Sequence, residues 1–156
     1  MNARDQENMS EPIRIVAALI RDADGRVLLV RKRGTRAFMQ PGGKRDPGED
    51  DVTALARELD EELGCRMVPG SVASLGTFEC QAANETDRQV NAAVYAVRVQ
   101  GQITARAEID EIAWIDPSAP PDIHLAPLTR DHVLPLARSA RTAISTFRPH
   151  RANTAA

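Results

Sequence analysis

The sequence predicts a mixed α/β domain in which helices pack on the faces of a sheet. Three observations lead there. Short apolar and β-branched runs lie on both sides of one long amphipathic segment, a second helical segment follows a proline-rich stretch, and no internal repeat or linker divides the chain. With 156 residues, 42% of them hydrophobic, the chain is the size of one ordinary domain with a real core. Its expected limits are residues 11–147, between a mobile start at 1–10 and a mobile tail at 148–156.

The run Ile13 to Ile20 is nearly all apolar, is bounded by Pro12 and by the turn Asp22-Ala23-Asp24-Gly25, and reads as a buried strand. The turn should return the chain into Val27-Leu28-Leu29-Val30 as a hairpin. Beyond it the chain is basic, with Arg31, Lys32, Arg33 and Arg36 around Gly34. Arg31 and Arg33 are the candidates for facing a phosphate, against the alternative of a solvated strand end.

The central helix should begin near Glu49 or Asp50, whose charge suits the positive end of the macrodipole, and stop at Gly64, a natural left-handed cap. Val52, Leu55, Ala56, Leu59 and Leu63 follow the spacing of a core-facing stripe. Glu58, Glu61 and Glu62 are related by i,i+3 and i,i+4 spacing, and at ~100° per residue their centre lies about 130° from that of the stripe. One face packs and another is left for chemistry. Like charges at these spacings repel, so the cluster invites a compensating cation. An all-carboxylate set suits a hard divalent ion, Mg²⁺, Mn²⁺ or Ca²⁺, better than zinc.

After Gly64, Val72 to Cys80 and Val90 to Val99 read as strands around the polar loop Ala82 to Arg88. A last strand includes Ile112 to Ile115, with Ile112 and Trp114 on one face. Pro117 to Pro127 holds four prolines and is a loop, after which Thr129 can cap a helix through Arg130 to Leu134, kinked or restarted at Pro135. Trp114 reads as core or pocket wall, His124 and His132 as surface or capping residues, and Cys80 as a strand residue rather than a nucleophile.

A net charge of -2 supplies no positive field for a nucleic-acid polymer, and leaves a small anionic ligand open. Only Cys65 and Cys80 are present, too few for a disulfide framework, which fits a reducing compartment. No apolar run reaches the ~20 residues of a membrane span, and the start MNARDQENMS has no apolar signal core, so a cytoplasmic protein is expected.

The stretch Gly42 to Cys65, GGKRDPGEDDVTALARELDEELGC, carries a specific spacing: Gly43, five residues, Glu49, seven residues, then Arg57-Glu58-Leu59-Asp60-Glu61-Glu62-Leu63-Gly64-Cys65. It resembles the signature of the Nudix hydrolases at every fixed charged and glycine position. The one soft departure is Cys65 in the final aliphatic place, where cysteine serves as a small hydrophobe. Pro41-Gly42-Gly43-Lys44 also looks like the family's entry to this box.

That resemblance implies an α/β/α sandwich with a mixed sheet between helices, and a metal-dependent hydrolase acting on a nucleoside diphosphate linked to another moiety. By the same carry-over Glu58, Glu61 and Glu62 hold the metal with the carbonyl of Gly43, and Glu58 is the first choice of base. Glu108 and Glu111 are reserve candidates for base or extra ligand. Arg57 and Glu49 support the carboxylates, a guanidinium fork orienting them and Glu49 anchoring the fork. Lys44 is a candidate for substrate phosphate.

The expected partner is a small nucleotide, with neither nucleic-acid polymer nor membrane, and a homodimer is left open because the family often forms one. Thr77 to Ala83 lacks the proline of ADP-ribose-type members, the SQPWPFP-like motif of NADH members is missing, and the approach Ala37-Phe38-Met39-Gln40 lacks the tryptophan of diadenosine-polyphosphate members. The chain therefore looks most similar to MutT-like enzymes, which convert a nucleoside or deoxynucleoside triphosphate, in some cases an oxidised one, to monophosphate and pyrophosphate. The alternatives are hydrolysis of an ADP-sugar or dinucleoside polyphosphate, and nucleotide binding without turnover.

Overall fold

A computed structural model describes residues 11–139 apart from Thr86; the expected terminal segments, and the end of the domain up to 147, lie outside the described residues. In chain order the strands are β1 (Ile13–Leu19), β2 (Val27–Lys32), β3 (Phe38–Met39) and β4 (Gly42–Lys44), then helix α1 (Asp51–Leu63). They are followed by β5 (Arg66–Met67), β6 (Ala73–Gln81), β7 (Gln89–Ala96), β8 (Val99–Gln100) and β9 (Ile109–Ile115). A π-helical turn over Thr129–Val133 leads into helix α2 (Leu134–Ser139).

The strands form a four-stranded sheet in the order β4-β1-β7-β6, a three-stranded sheet in the order β3-β2-β9, and the short pair β5-β8. β1 runs parallel to β7 and antiparallel to β4, so the larger sheet is mixed. Alternation along β1 and β2 builds two cores. Ala17, Leu19, Val27 and Leu29 join Val133, Leu134 and Ala137 on one side. Val16, Ala18, Ile20, Leu28 and Val30 meet Ala54, Leu55, Leu59 and Leu63 of α1 on the other. Sheet residues thus lie between helices, the expected sandwich, with Ile112 and Trp114 together on the α1 side.

α1 ends as its residues require. Asp50 accepts the N–H of Thr53 at 2.8 Å, and Gly64 takes the left-handed conformation at φ 66° while its N–H reaches Asp60 O. The Tyr95 hydroxyl donates to Asp51 at 2.5 Å and ties the first turn to β7.

Several expectations are corrected. β1 and β2 do not form a hairpin: the turn closes with an Arg21–Val27 bridge and the Leu28 N–H bond to Ile20 O, and the strands then part into different sheets. Val52 is 42% exposed and Ala54 is fully buried, so the stripe on α1 is rotated toward Ala54, Leu55, Leu59, Glu62 and Leu63. The strand expected over Val90 to Val99 breaks after Ala96, because Val99 and Gln100 leave to pair with β5.

Thr129 is no cap. It is fully buried and its hydroxyl donates to Gln40 Oε1 at 3.0 Å, while Leu128 stands at the helix start. The expected restart at Pro135 is present: the π-helical turn ends at Val133, α2 begins at Leu134 with Pro135 in its first turn, and the Leu134 N–H reaches back to Thr129 O ahead of a proline that has no N–H to offer.

Candidate active site

β4 lies along the edge of β1, and α1 returns beside it, so that successive helix turns face successive glycines. Glu62 accepts the Gly42 N–H at 3.2 Å. One turn earlier, the Glu58 carboxylate lies so close to Gly43 that a Cβ there would stand 2.6 Å from its Oε1. Gly42 is fixed from its other side: at φ 145° a Cβ would fall 2.1 Å from Val16 O.

Glu58, Glu62, Gly42 and Gly43 line one cavity of about 370 Å³. Lys32, Lys44 and Glu108 border it beside the carboxylates, and Ile13, Ile15, Cys80, Ala82, Val90 and Leu128 supply an apolar wall. Gln40 also lines the cavity; it is pinned by Thr129 and by its own amide bond to Ala18 O at 3.1 Å.

Arg57 is the hub behind this face. Its Nε and Nη2 grip Glu49 at 2.9 and 2.8 Å, Nη2 also reaches Lys44 O at 3.0 Å, and Nη1 reaches Glu58 at 3.0 Å and Glu61 at 3.4 Å. Asp46 lies 3.2 Å from Nε, and the Asp46 N–H donates to Glu49 Oε1 at 2.7 Å. The Arg57 hydrogen bonds hold the Glu49 carboxyl down at about 2, and Glu49 in turn raises the guanidinium further above its already high range.

The other two inward carboxylates shift the opposite way. Burial pushes Glu62, only 7% exposed, up to about 8, with the charges of Glu58 and Glu108 adding to the shift while the Gly42 N–H and Lys32 oppose it. Burial also raises Glu58, against the pull of Arg57. A buried carboxylate whose direct partner is one backbone N–H gains from a cation, and oxygen-only donors suit a hard one. The residues present therefore fit a divalent ion. Among the described residues no three acidic, His or Cys side chains converge as a ready metal cage, and Glu61, more than half exposed beside Arg57, stands outside the cavity lining.

The remaining sequence candidates divide. Glu108 reaches the cavity, whereas Glu111 lies on β9 paired with Arg31 at 3.1 Å. Arg31 also holds Asp110 at 3.0 Å, and Arg33 donates to Ala107 O at 3.4 Å, so neither arginine lines the cavity. Lys32, which lies between them and is not among the sequence candidates, does line it. Its signal in the sequence is alternation, since it follows Leu28 and Val30 on the α1 side of β2.

Residues 11–137 match the NUDIX domain. The chain belongs to the Nudix family. It is 41% identical over 56 residues to the 8-oxo-dGTP diphosphatase of Haemophilus influenzae, a match covering 33% of this chain and 41% of that protein. It is 27% identical over 118 residues to a MutT-like protein of Streptomyces ambofaciens, covering 74% of this chain and 72% of that one. Among solved structures it resembles the E. coli ORF135 protein, at 26% identity and a TM-score of 0.63, over 92% of this chain and 97% of that one. This Nudix chain thus spans less than half the length of the Haemophilus relative and most of the other two.

Proposed function

We propose that this Nudix protein is a pyrophosphohydrolase that converts a nucleoside or deoxynucleoside triphosphate, including oxidised forms, to the monophosphate and pyrophosphate with Mg²⁺ or Mn²⁺. The observation that carries the reading is that Glu58 and Glu62 from consecutive turns of α1 meet Gly43 and Gly42 at the floor of a single cavity. The relatives named as an 8-oxo-dGTP diphosphatase and a MutT-like protein support it.

Glu58 and Glu62, with the carbonyl of Gly43, would hold the metal in the cavity, and Glu61 would join them by turning inward from its place beside Arg57. When bound, a divalent ion neutralises the diphosphate oxygens and lowers the pKa of an attacking water. Arg57, anchored by Glu49, keeps the carboxylates in register. Lys32 and Lys44 at the cavity rim face the phosphates, and the apolar wall of Ile13, Ile15, Val90 and Leu128 receives the nucleoside. Glu108 takes the proton of the water that attacks phosphorus, because Glu58 is already held by Arg57 and Glu111 by Arg31. The phosphoanhydride bond breaks and pyrophosphate leaves.

No helix among the described residues is long and apolar enough to cross a membrane, and both cysteines are unpaired, which agrees with a reducing, cytoplasmic setting. Products from a panel of NTPs, dNTPs, oxidised dNTPs, ADP-ribose and dinucleoside polyphosphates decide the reading. Release of pyrophosphate from triphosphates is expected; turnover of ADP-ribose alone would sink it.

A further inference from the structure

Glu108 enters the cavity from the connection between β8 and β9, which has no regular structure and yet is pinned along its length. The Thr104 N–H donates to Leu63 O at 3.0 Å and the Arg106 N–H to Glu62 O at 2.9 Å, so the connection takes up carbonyls that the end of α1 leaves without an intrahelical partner. Arg106 O accepts the Ile109 N–H at 3.0 Å, and Glu108 O accepts the Arg33 N–H at 2.7 Å. Between them Ala107 is left-handed at φ 52°.

The Arg106 side chain then turns back over the helix end. A Cβ on Gly64 would lie 2.4 Å from Arg106 Cζ and 2.6 Å from its Nε, so the guanidinium fills the space a side chain at the cap would need. α1 has no basic residue in its own last turn. A cation from elsewhere in the chain therefore meets the negative end of the helix dipole.

We propose that Arg106 is a positioning residue for Glu108: its guanidinium, seated on Gly64 at the end of α1, fixes the β8–β9 connection so that Glu108 borders the same cavity as Glu62. The same helix end that presents Glu62 thereby sets the carboxylate opposite it. The absent side chain at position 64 has a second cause beside its φ, namely room for this guanidinium. Only the kinetic arm of the test rests on the hydrolase reading.

A double-mutant cycle of Arg106→Ala and Glu108→Gln, read both by calorimetric Mn²⁺ affinity and by kcat and KM for a nucleoside triphosphate, tests this. Arg106→Ala should lower kcat about tenfold with KM within about twofold, because misplacing a reacting group acts on the chemical step, and should lower Mn²⁺ affinity severalfold, because it displaces a carboxylate that borders the cavity with Glu58 and Glu62. In the Glu108→Gln background the same change should alter neither quantity. Arg106→Lys should behave as the alanine variant, since an ammonium has no plane to lay on Gly64. Absence of any effect of Arg106→Ala, equal effects in both backgrounds, or rescue by lysine would overturn the proposal. Should the wild-type protein hydrolyse no nucleotide, the functional reading fails while the Mn²⁺ cycle still decides this one.

Discussion

The Glu62 carboxylate accepts the Gly42 N–H at 3.2 Å and is otherwise sunk between α1 and β4, where burial pushes its pKa up to about 8. The stability consequence has a definite sign. A carboxyl raised from 4.5 to about 8 is neutral in both folded and unfolded states below pH 4.5, and the metal-free fold then bears no cost. Above that pH the unfolded chain ionises first, so stability falls by about 1.4 kcal/mol for each further pH step of one, until the buried group itself ionises near 8. Urea melts in chelator at pH 5 and pH 8.5 should show this loss in the wild type and its absence in Glu62→Gln. Adding Mn²⁺ at pH 8.5 should restore stability to the wild type alone.

The Arg57–Glu49 fork gives the reverse pH signature at the acid end. Glu49, lowered from 4.5 to about 2 by Arg57, contributes stability that is present above pH 4.5 and is lost as pH falls through 2. Thermal midpoints between pH 5 and pH 2 should decline less steeply in Glu49→Gln than in the wild type. At neutral pH that variant and Arg57→Lys should both lose roughly 10–100-fold in Mn²⁺ affinity, because lysine cannot reproduce the fork that orients Glu58. Wild-type affinity in Arg57→Lys would refute the orienting role.

How far this site is legible in the sequence follows from where each signal resides. α1 is readable at both ends because Asp50 and Gly64 act on their own helix, and the box spacing carries Arg57, Glu49 and the three glutamates with it. Hydrophobicity alone misplaces the stripe because Val52 is the more hydrophobic choice, while Ala54 is the one that faces the sheet. The turn at Asp22–Gly25 has the same local chemistry whether its strands stay paired or diverge, so partner choice is invisible there. Strands of two or three residues, such as β3, β5 and β8, are too short to show a period. Glu108 and Glu111 cannot be separated by spacing, since the register shift near Lys32 and the ion pair with Arg31 decide which enters the cavity.

Adjacent glycines of β4 should respond differently to the same methyl group. In Gly42→Ala the Cβ meets backbone, Val16 O at 2.1 Å, at a φ of 145° that alanine rarely adopts. Neither neighbour can give way, and destabilisation of about 3 kcal/mol or more is expected in denaturant melts. In Gly43→Ala the Cβ meets the end of a side chain, Glu58 Oε1 at 2.6 Å, which can swing aside. That variant should keep a near-normal midpoint and lose ~10²-fold in kcat, since a shift of about 1 Å in a positioned group is enough for such a loss. Equal stabilities of the two variants would contradict the geometry.

Thr129 tests whether the floor of the cavity depends on a contact 89 residues distant in sequence. Its hydroxyl is fully buried and donates to Gln40 Oε1, while the Gln40 amide is committed to Ala18 O on β1. Thr129→Val keeps the shape and removes the donor, leaving a buried carbonyl oxygen without its partner, at a cost of about 1–3 kcal/mol. Thr129→Ser keeps the donor and loses a methyl, at a cost of about 1 kcal/mol. Gln40 directly precedes Pro41 and Gly42, so the freed amide should also loosen the cavity wall, raising KM for the nucleotide in Thr129→Val more than in Thr129→Ser. A larger loss of stability in serine than in valine would show that packing, and not the hydrogen bond, holds this floor in place.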